Sequence, residues 1–177
     1  IRGENPDFSD KNSDCFFMHR GDKFSVCDTM IDLVCNRLPT AYNINPLTDI
    51  QVLCPSKMME TGTVNLNNLL QANLNPKKDG QPQMAFKGFY LRVGDKVMQT
   101  KNNYDLQYKK DNGEYGTGIF NGDIGYITDI DIRGGILKVR FDDREATYFS
   151  EDLSQLELAY AVTVHKSQGS EYDYVVI

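Results

Sequence analysis

Towards its end the chain carries Thr163-Val164-His165-Lys166-Ser167-Gln168-Gly169-Ser170-Glu171, a polar run that follows the apolar Leu158–Val162. These residue types suit phosphate chemistry. Gly169 lets a backbone approach an anion closely, and its N–H can donate to it. Gln168 offers a neutral donor and acceptor, and Glu171 an acceptor for a hydroxyl. Thr163 and His165 are short donors suited to the phosphate oxygens of a nucleic-acid strand, and Lys166 adds a cation. Composition alone favours a blander alternative: a polar loop between two buried elements. Gly169 would then only turn the chain, Thr163 would pack through its branched Cβ, and His165 would be satisfied by neighbours.

Two further groups stand where chemistry is possible. Ser56 and Lys57 follow the apolar run Asp49–Cys54 and Pro55; ligands of α/β sheets collect at the carboxyl ends of strands, so Lys57 can meet a phosphate there. A solvated loop lysine explains it equally well. Asn102, Asn103 and Tyr104 can line the same groove, with Tyr104 as a stacking platform worth about 1–3 kcal/mol per base. Turn formation accounts for them almost as well. Phe120, Tyr126, Tyr148 and Phe149 lie among short strands, where aromatics fill a core more often than they stack bases. Nearby, Lys109, Lys110, Lys138 and Arg140 are opposed by Asp142, Asp143, Glu145, Glu151 and Asp152.

The elements that must position these groups follow from periodicity. Residues 1–13 are polar and turn-rich and predict a loop. Cys15–Met18 predicts a short strand. Phe24, Cys27, Met30, Ile31, Val34 and Cys35 recur at helical spacing, predicting a helix over 23–37 that Pro39 stops. Asp49–Cys54 predicts a mostly buried strand. Thr63 is placed to cap a helix carrying Leu66, Leu69, Leu70 and Leu74, ended by Asn75-Pro76. This alternation points to an α/β layer with a parallel sheet. Beyond about residue 84 the pattern becomes short strands with tight turns: Phe89–Arg92, Lys96–Thr100, Ile124–Ile130, Ile136–Phe141 and Ala146–Phe149, with a turn at Asn112-Gly113. Residues 158–177 return to α/β character and end in what predicts a buried strand, Tyr174–Ile177. The segment 159–166 is open between helix and strand.

Bulk composition narrows the classes. The 177 residues carry a formal charge of −6, which argues against a general phosphate-binding surface and requires any nucleic-acid role to rest on a local site. No apolar run approaches the roughly 18–20 residues that span a bilayer. The four cysteines, Cys15, Cys27, Cys35 and Cys54, form no C-x-x-C pair and lie far from His19 and His165; they predict reduced core thiols of a cytoplasmic protein rather than a metal site. A start without Met and an end within an apolar strand suggest a piece of a longer chain.

The run Leu158–Glu171 resembles motif V of superfamily 1 DNA helicases in its RecD-like form (the exodeoxyribonuclease V alpha-subunit family). Other segments agree in order. Asp49–Pro55 with Asn65, Asn68-Leu69-Leu70 and Leu74-Asn75-Pro76 resembles the motif IV region. Gly94–Gln99 with Asn102-Asn103-Tyr104 resembles the next segment, and Phe120–Gly125 the entry to an inserted SH3-like domain. PIF-type helicases and conjugative relaxases share the His-Lys-Ser-Gln-Gly element, but Ser170-Glu171-Tyr172 after Gly169 favours the RecD-like branch.

The resemblance implies an α/β fold. It would be an incomplete RecA-like, P-loop NTPase-type parallel-sheet domain over 1–104 and 158–177, with a small SH3-like β-barrel inserted over 105–157. In this family two RecA-like domains clamp ATP and Mg²⁺. Gln168 would then sense the γ-phosphate with Gly169, and Glu171 would hold a ribose hydroxyl. Thr163, His165, Lys166, Ser56, Lys57, Asn103 and Tyr104 would line the single-stranded DNA groove. The chain holds no G-x-x-x-x-G-K-[ST] loop, and motif VI would lie beyond Ile177. The resemblance therefore implies that this segment is inactive alone, binds no nucleotide by itself, and partners a first RecA-like domain and other exonuclease V-type subunits. Against it stand two other readings: a non-enzymatic single-strand binding module built on the barrel, and a protein-docking module.

Overall fold

The computed structural model describes residue 8 and residues 13–177; the loop expected over 1–13 lies, apart from its residues 8 and 13, outside them. Cys15–Met18 forms no strand. The segment is exposed, with Phe16 and Phe17 on the surface, because its three consecutive apolar residues find no sheet edge to join. Cys15 is accordingly an exposed thiol, while Cys27 and Cys54 lie in the core and Cys35 at its margin.

Helix α1, Lys23–Asp32, starts at Asp22, whose carboxylate accepts from the Phe24 and Ser25 N–H groups at 3.0 Å each. Pro39 does not stop this helix. The chain widens into one π-turn, Leu33–Arg37, and continues as α2, Leu38–Tyr42, until Asn43 turns left-handed at φ 54°. In the wide turn the Leu38 N–H reaches back to the Leu33 carbonyl. Pro39 therefore enters at the first turn of a new α-segment, where its missing N–H and fixed φ are tolerated.

Strand β1, Ile50–Cys54, is the centre of a three-stranded parallel sheet between β11, Ala161–Thr163, and β12, Tyr174–Val176. Val52 faces Ala161 on one side and Val176 on the other. Strand β12 is an edge. Val175 and Ile177 are exposed, so the strand predicted there exists but is not buried. Helix α3, Thr63–Leu74, packs on β11 and against α1. Its Leu66 and Leu70 are buried, and Leu69 and Leu74 flank them. Thr63 is its first helical residue, not its cap. The cap is Gly62, where a Cβ would stand 2.2 Å from the Met58 carbonyl oxygen, and the Ser56 and Lys57 carbonyls accept from Thr63 and Val64 instead.

A hairpin follows, β2, Gln83–Phe86, and β3, Phe89–Arg92, joined at Lys87-Gly88. The rest is one antiparallel sheet of seven strands: β4 (Lys96–Gln99), β5 (Asn103–Lys110), β6 (Tyr115–Ile119), β7 (Ile124–Asp131), β8 (Ile136–Phe141), β9 (Arg144–Phe149) and β10 (Leu156–Leu158). Its order is β10-β4-β7-β8-β9-β5-β6, with no pairing that joins β10 to β6, so the sheet is not a closed ring. Alternation drives it: Leu137, Val139 and Phe141 of β8 point inward, their neighbours outward. The sheet runs past both ends of the span 105–157, taking in Lys96–Gln99 and Asn103 before it and Leu158 after it. Its core is continuous with that of the α/β layer.

Buried polar groups hold the two sheets together. Asp95 is fully buried and accepts four bonds: from Gln71 (2.6 Å), the Arg92 N–H (2.7 Å), Asn75 (2.7 Å) and the Tyr160 hydroxyl (2.9 Å). Beside it Lys96, also buried, donates to the Ile50 carbonyl at 3.2 Å. Burial pushes its ammonium pKa down to about 8. Gln51 donates to the Ala159 and Tyr160 carbonyls, where the chain crosses from β10 to β11.

Candidate functional site

The carboxyl ends of β1 and β11 lie side by side because the strands are parallel and paired as far as Cys54 and Thr163. Lys57 follows the first end and Lys166 the second. With α3, the Lys87-Gly88 hairpin tip and β10 they surround a groove of about 280 Å³. Its polar rim holds Lys57, Lys87, Lys166, Thr163, Asn67 and Asn68, and Met98, Leu158 and Val162 form an apolar floor.

Asn67 and the Glu157 ion pairs with Lys57 and Lys166 fix this geometry. Asn67, buried on α3, donates to the Leu158 and Ala161 carbonyls (3.0 and 2.9 Å) and accepts from the Ala161 N–H (2.8 Å). It ties helix to crossover through its amide carbonyl and its N–H groups together, three of the four bonds an Asn amide can make. Glu157 alternates with two buried leucines on β10, so it points into the groove. Its two oxygens accept from Lys57 (2.5 Å) and Lys166 (3.1 Å). Burial pulls its carboxyl pKa up, but the two ammonium groups outweigh this and hold it below the usual range.

The expected site residues divide. Lys57, Thr163 and Lys166 converge on the groove. His165 is exposed on the short 3-10 turn Val164–Ser167 that follows Thr163, and does not line it. Ser56 donates to the Met58 carbonyl at 2.9 Å and shapes the loop. Asn103 is engaged locally: its Nδ2 donates to Gln155 at 3.0 Å and its Oδ1 accepts from the Asp105 and Leu106 N–H groups. Tyr104 is exposed, edge-on to Phe120 at 5.6 Å. Neither lines the groove.

Gln168, Gly169 and Glu171 form an exposed rim of their own. The Ser170 N–H donates to the Ser167 carbonyl at 3.0 Å, with Gln168 at φ −60°, ψ 126° and Gly169 at φ 84°. This is a type II turn, which requires Gly at its third position. No atom stands within 4 Å of where a Gly169 Cβ would be, so the backbone there is open to a ligand.

Among the aromatics, Tyr148 is buried and donates to Gln99 at 2.9 Å, and Tyr126 donates to the Leu47 carbonyl at 3.0 Å. Phe120 and Phe149 are exposed. The cations of the antiparallel sheet are largely matched: Arg140 with Asp111 and Glu145, Lys138 with Asp129, Lys110 with Glu114, Arg144 with Asp123. Sequence reasoning did not single out Glu157, Lys87 or Asn67. The alternation Leu156-Glu157-Leu158 carried the signal for the first, and the Lys87-Gly88 turn for the second.

Residues 66–141 match the family model of the ATP-dependent RecD-like DNA helicase SH3 domain, and residues 158–177 that of the UvrD-like helicase C-terminal domain. The chain is similar to the ATP-dependent RecD2 DNA helicase of Deinococcus radiodurans, 37% identical over 127 residues, which cover 72% of this chain and 16% of that protein. An uncharacterized protein of Methanocaldococcus jannaschii is 26% identical over 144 residues, covering 72% of this chain and 12% of its own. The chain thus spans only a small part of the relatives it matches. Among solved structures, Bacteroides Pif1 helicase in complex with ADP-AlF3 and ssDNA is 18% identical with a TM-score of 0.45, over 86% of this chain and 38% of that one. Unliganded Pif1 from Bacteroides sp. is 19% identical with a TM-score of 0.40, over 72% and 46%. The chain belongs to the RecD-like family of superfamily 1 helicases.

Proposed function

We propose that the chain is the second RecA-like motor domain of an ATP-dependent DNA helicase, over 1–104 and 158–177, interrupted by an SH3-like β domain over 105–157. It contributes the single-stranded DNA groove and part of one wall of the ATP cleft. The observation that carries this is the convergence of Lys57, Thr163 and Lys166 at the carboxyl edge of a parallel sheet, where such folds bind ligands. A lysine pair and a neutral hydroxyl grip phosphates without reading bases, which suits a strand that must slide. His165, exposed two residues after Thr163, would touch the same strand from outside the groove, and Ser56 shapes the loop that carries Lys57. Asn103 and Tyr104 form a second, separate strip for the same strand.

The turn at Gln168–Glu171 is a fit for one side of a nucleotide. It offers a neutral amide, an open backbone N–H and a carboxylate, all exposed. It offers no phosphate cradle, and among the described residues no three metal-ligating side chains cluster. ATP phosphates and Mg²⁺ would be held by a first RecA-like domain, and ATP supplies the free energy of stepping. In this reading the protein works in the cytoplasm, in DNA repair and recombination, with exonuclease V-type subunits as further partners.

The test is fluorescence anisotropy with labelled single-stranded DNA at low salt, on the wild type and on Thr163→Ala/His165→Ala. Loss of two donors is expected to weaken binding about five- to twentyfold, with no ATP hydrolysis by the chain alone. Unchanged binding would move the site to the antiparallel sheet and favour a simple binding module. Its matched cations argue against that module. Robust DNA-stimulated ATP hydrolysis by the chain alone would refute the division of labour.

A further inference from the structure

Glu157 is an acid in the middle of a groove otherwise rimmed by cations. Strand β10 fixes its direction, since Leu156 and Leu158 on either side are buried. Its two oxygens are divided between Lys57, which lies 100 residues away along the chain, and Lys166. One oxygen per ammonium is how a phosphate bridges two lysines as well. Lys87 at the hairpin tip completes the rim. Among the described residues it has no carboxylate within ion-pair distance, and its ammonium rests 5.1 Å from the centre of the Phe86 ring. Three lysines against one glutamate leave this groove positive on a chain whose net charge is −6. The local charge selects an anion that the overall charge would repel.

We propose that the Glu157 carboxylate holds the place of a backbone phosphate, so that a nucleic-acid strand binds by exchange, its phosphodiester displacing Glu157 from Lys57 and Lys166 while Lys87 receives the neighbouring phosphate. The proposal rests on the groove reading above. It adds a built-in competitor: the strand phosphate that enters between Lys57 and Lys166 must break two internal ion pairs, and when it leaves they re-form. The groove therefore never presents bare paired lysines, and the strand is held less tightly than three lysines alone would hold it. Exposed and half-exposed pairs of this kind are weak enough to exchange.

The probe is a labelled oligothymidine, titrated by anisotropy across a salt series with wild type, Glu157→Gln and Glu157→Ser. Both variants are expected to bind about three- to tenfold tighter, with the log–log salt slope steeper by about 0.7 for each lysine set free. Lys57→Gln added to Glu157→Gln is expected to remove most of the gain, and Lys87→Gln alone to weaken the wild type. Affinity unchanged or reduced in both Glu157 variants, while Thr163→Ala/His165→Ala still weakens binding, overturns the exchange proposal and leaves the groove reading standing. Insensitivity to every groove substitution overturns both. Millimolar inorganic phosphate that matches the oligomer as a competitor would show a free-anion site and overturn the strand as its ligand.

Discussion

Lys96 offers a prediction whose size follows directly from its surroundings. Its side chain is buried, donates to one carbonyl oxygen, and has a pKa lowered to about 8 from 10.5. Burial, the dominant cause, disfavours the charged form, and the Asp49 carboxylate opposes it only in part. Below pH 8 the lysine is charged in both folded and unfolded states, and its burial is most unfavourable. Between pH 8 and 10.5 the unfolded chain binds more protons than the folded one, so this residue's contribution to stability rises with pH. Over pH 7.5 to 9.5 the rise is about 2 kcal/mol. Wild type alone does not reveal it. Burial also raises the thiol pKa of Cys27, Cys35 and Cys54, the last to about 11, and these contribute with the opposite sign in the same window. The difference between wild type and Lys96→Met cancels the cysteines. Methionine keeps the volume and removes the titration. Urea unfolding followed by far-ultraviolet circular dichroism, in reductant, at pH 7.5, 8.5 and 9.5, is expected to show wild type gaining about 2 kcal/mol on the variant. A gap that stays constant within about 0.5 kcal/mol would show that Lys96 titrates near its ordinary value, and would refute the argument from burial.

Two other outcomes follow from the site. Asn67→Ala strips three buried backbone groups of their partner and is expected to lower stability by about 2–4 kcal/mol with an unchanged denaturant slope; a loss below about 0.5 kcal/mol would mean that water replaces the amide. Gly169→Ala forces a side chain into φ 84°, which costs about 1–2 kcal/mol locally, so the turn at 167–170 is expected to rearrange while the melting midpoint moves little, as the loop is exposed. Nuclear magnetic resonance shifts confined to 166–172 would agree with this; a global loss of structure would not.

Much of this fold was legible because its signals are periodic. The alternation over Ile136–Phe141 and the leucine spacing of Leu66 and Leu70 each specify one buried face, and both elements formed as read. Pro39 misled because a local rule was applied to a helix that could change its hydrogen-bonding step; a π-turn leaves no mark in composition. Thr63 misled because the loop before it doubles back tightly, bringing the Met58 carbonyl against Gly62, and the helix begins one residue earlier than the cap rule placed it. The strand predicted at Cys15–Met18 failed for want of a partner. At the site, Lys57, Thr163 and Lys166 were legible because strand ends are legible. Glu157 was not, since its meaning depends on two lysines brought to it by strand order. Asp95 and Lys96 belong to the same class: read as motif letters, they prove to be buried fasteners between sheets.

The crossing at Ala159-Tyr160 has a mechanical consequence. Two residues separate a strand of the antiparallel sheet from one of the parallel sheet, and both are buried. Tyr160 is bolted to Asp95 and Asn67 clamps the residues on either side. Such a joint has no slack. Yet the groove lies across it, with Glu157 on one sheet and Thr163 on the other. Its width is therefore a gauge of how the two sheets stand to each other. A load applied at the far edge of the antiparallel sheet would be felt as a change in grip, without any residue of the groove being touched.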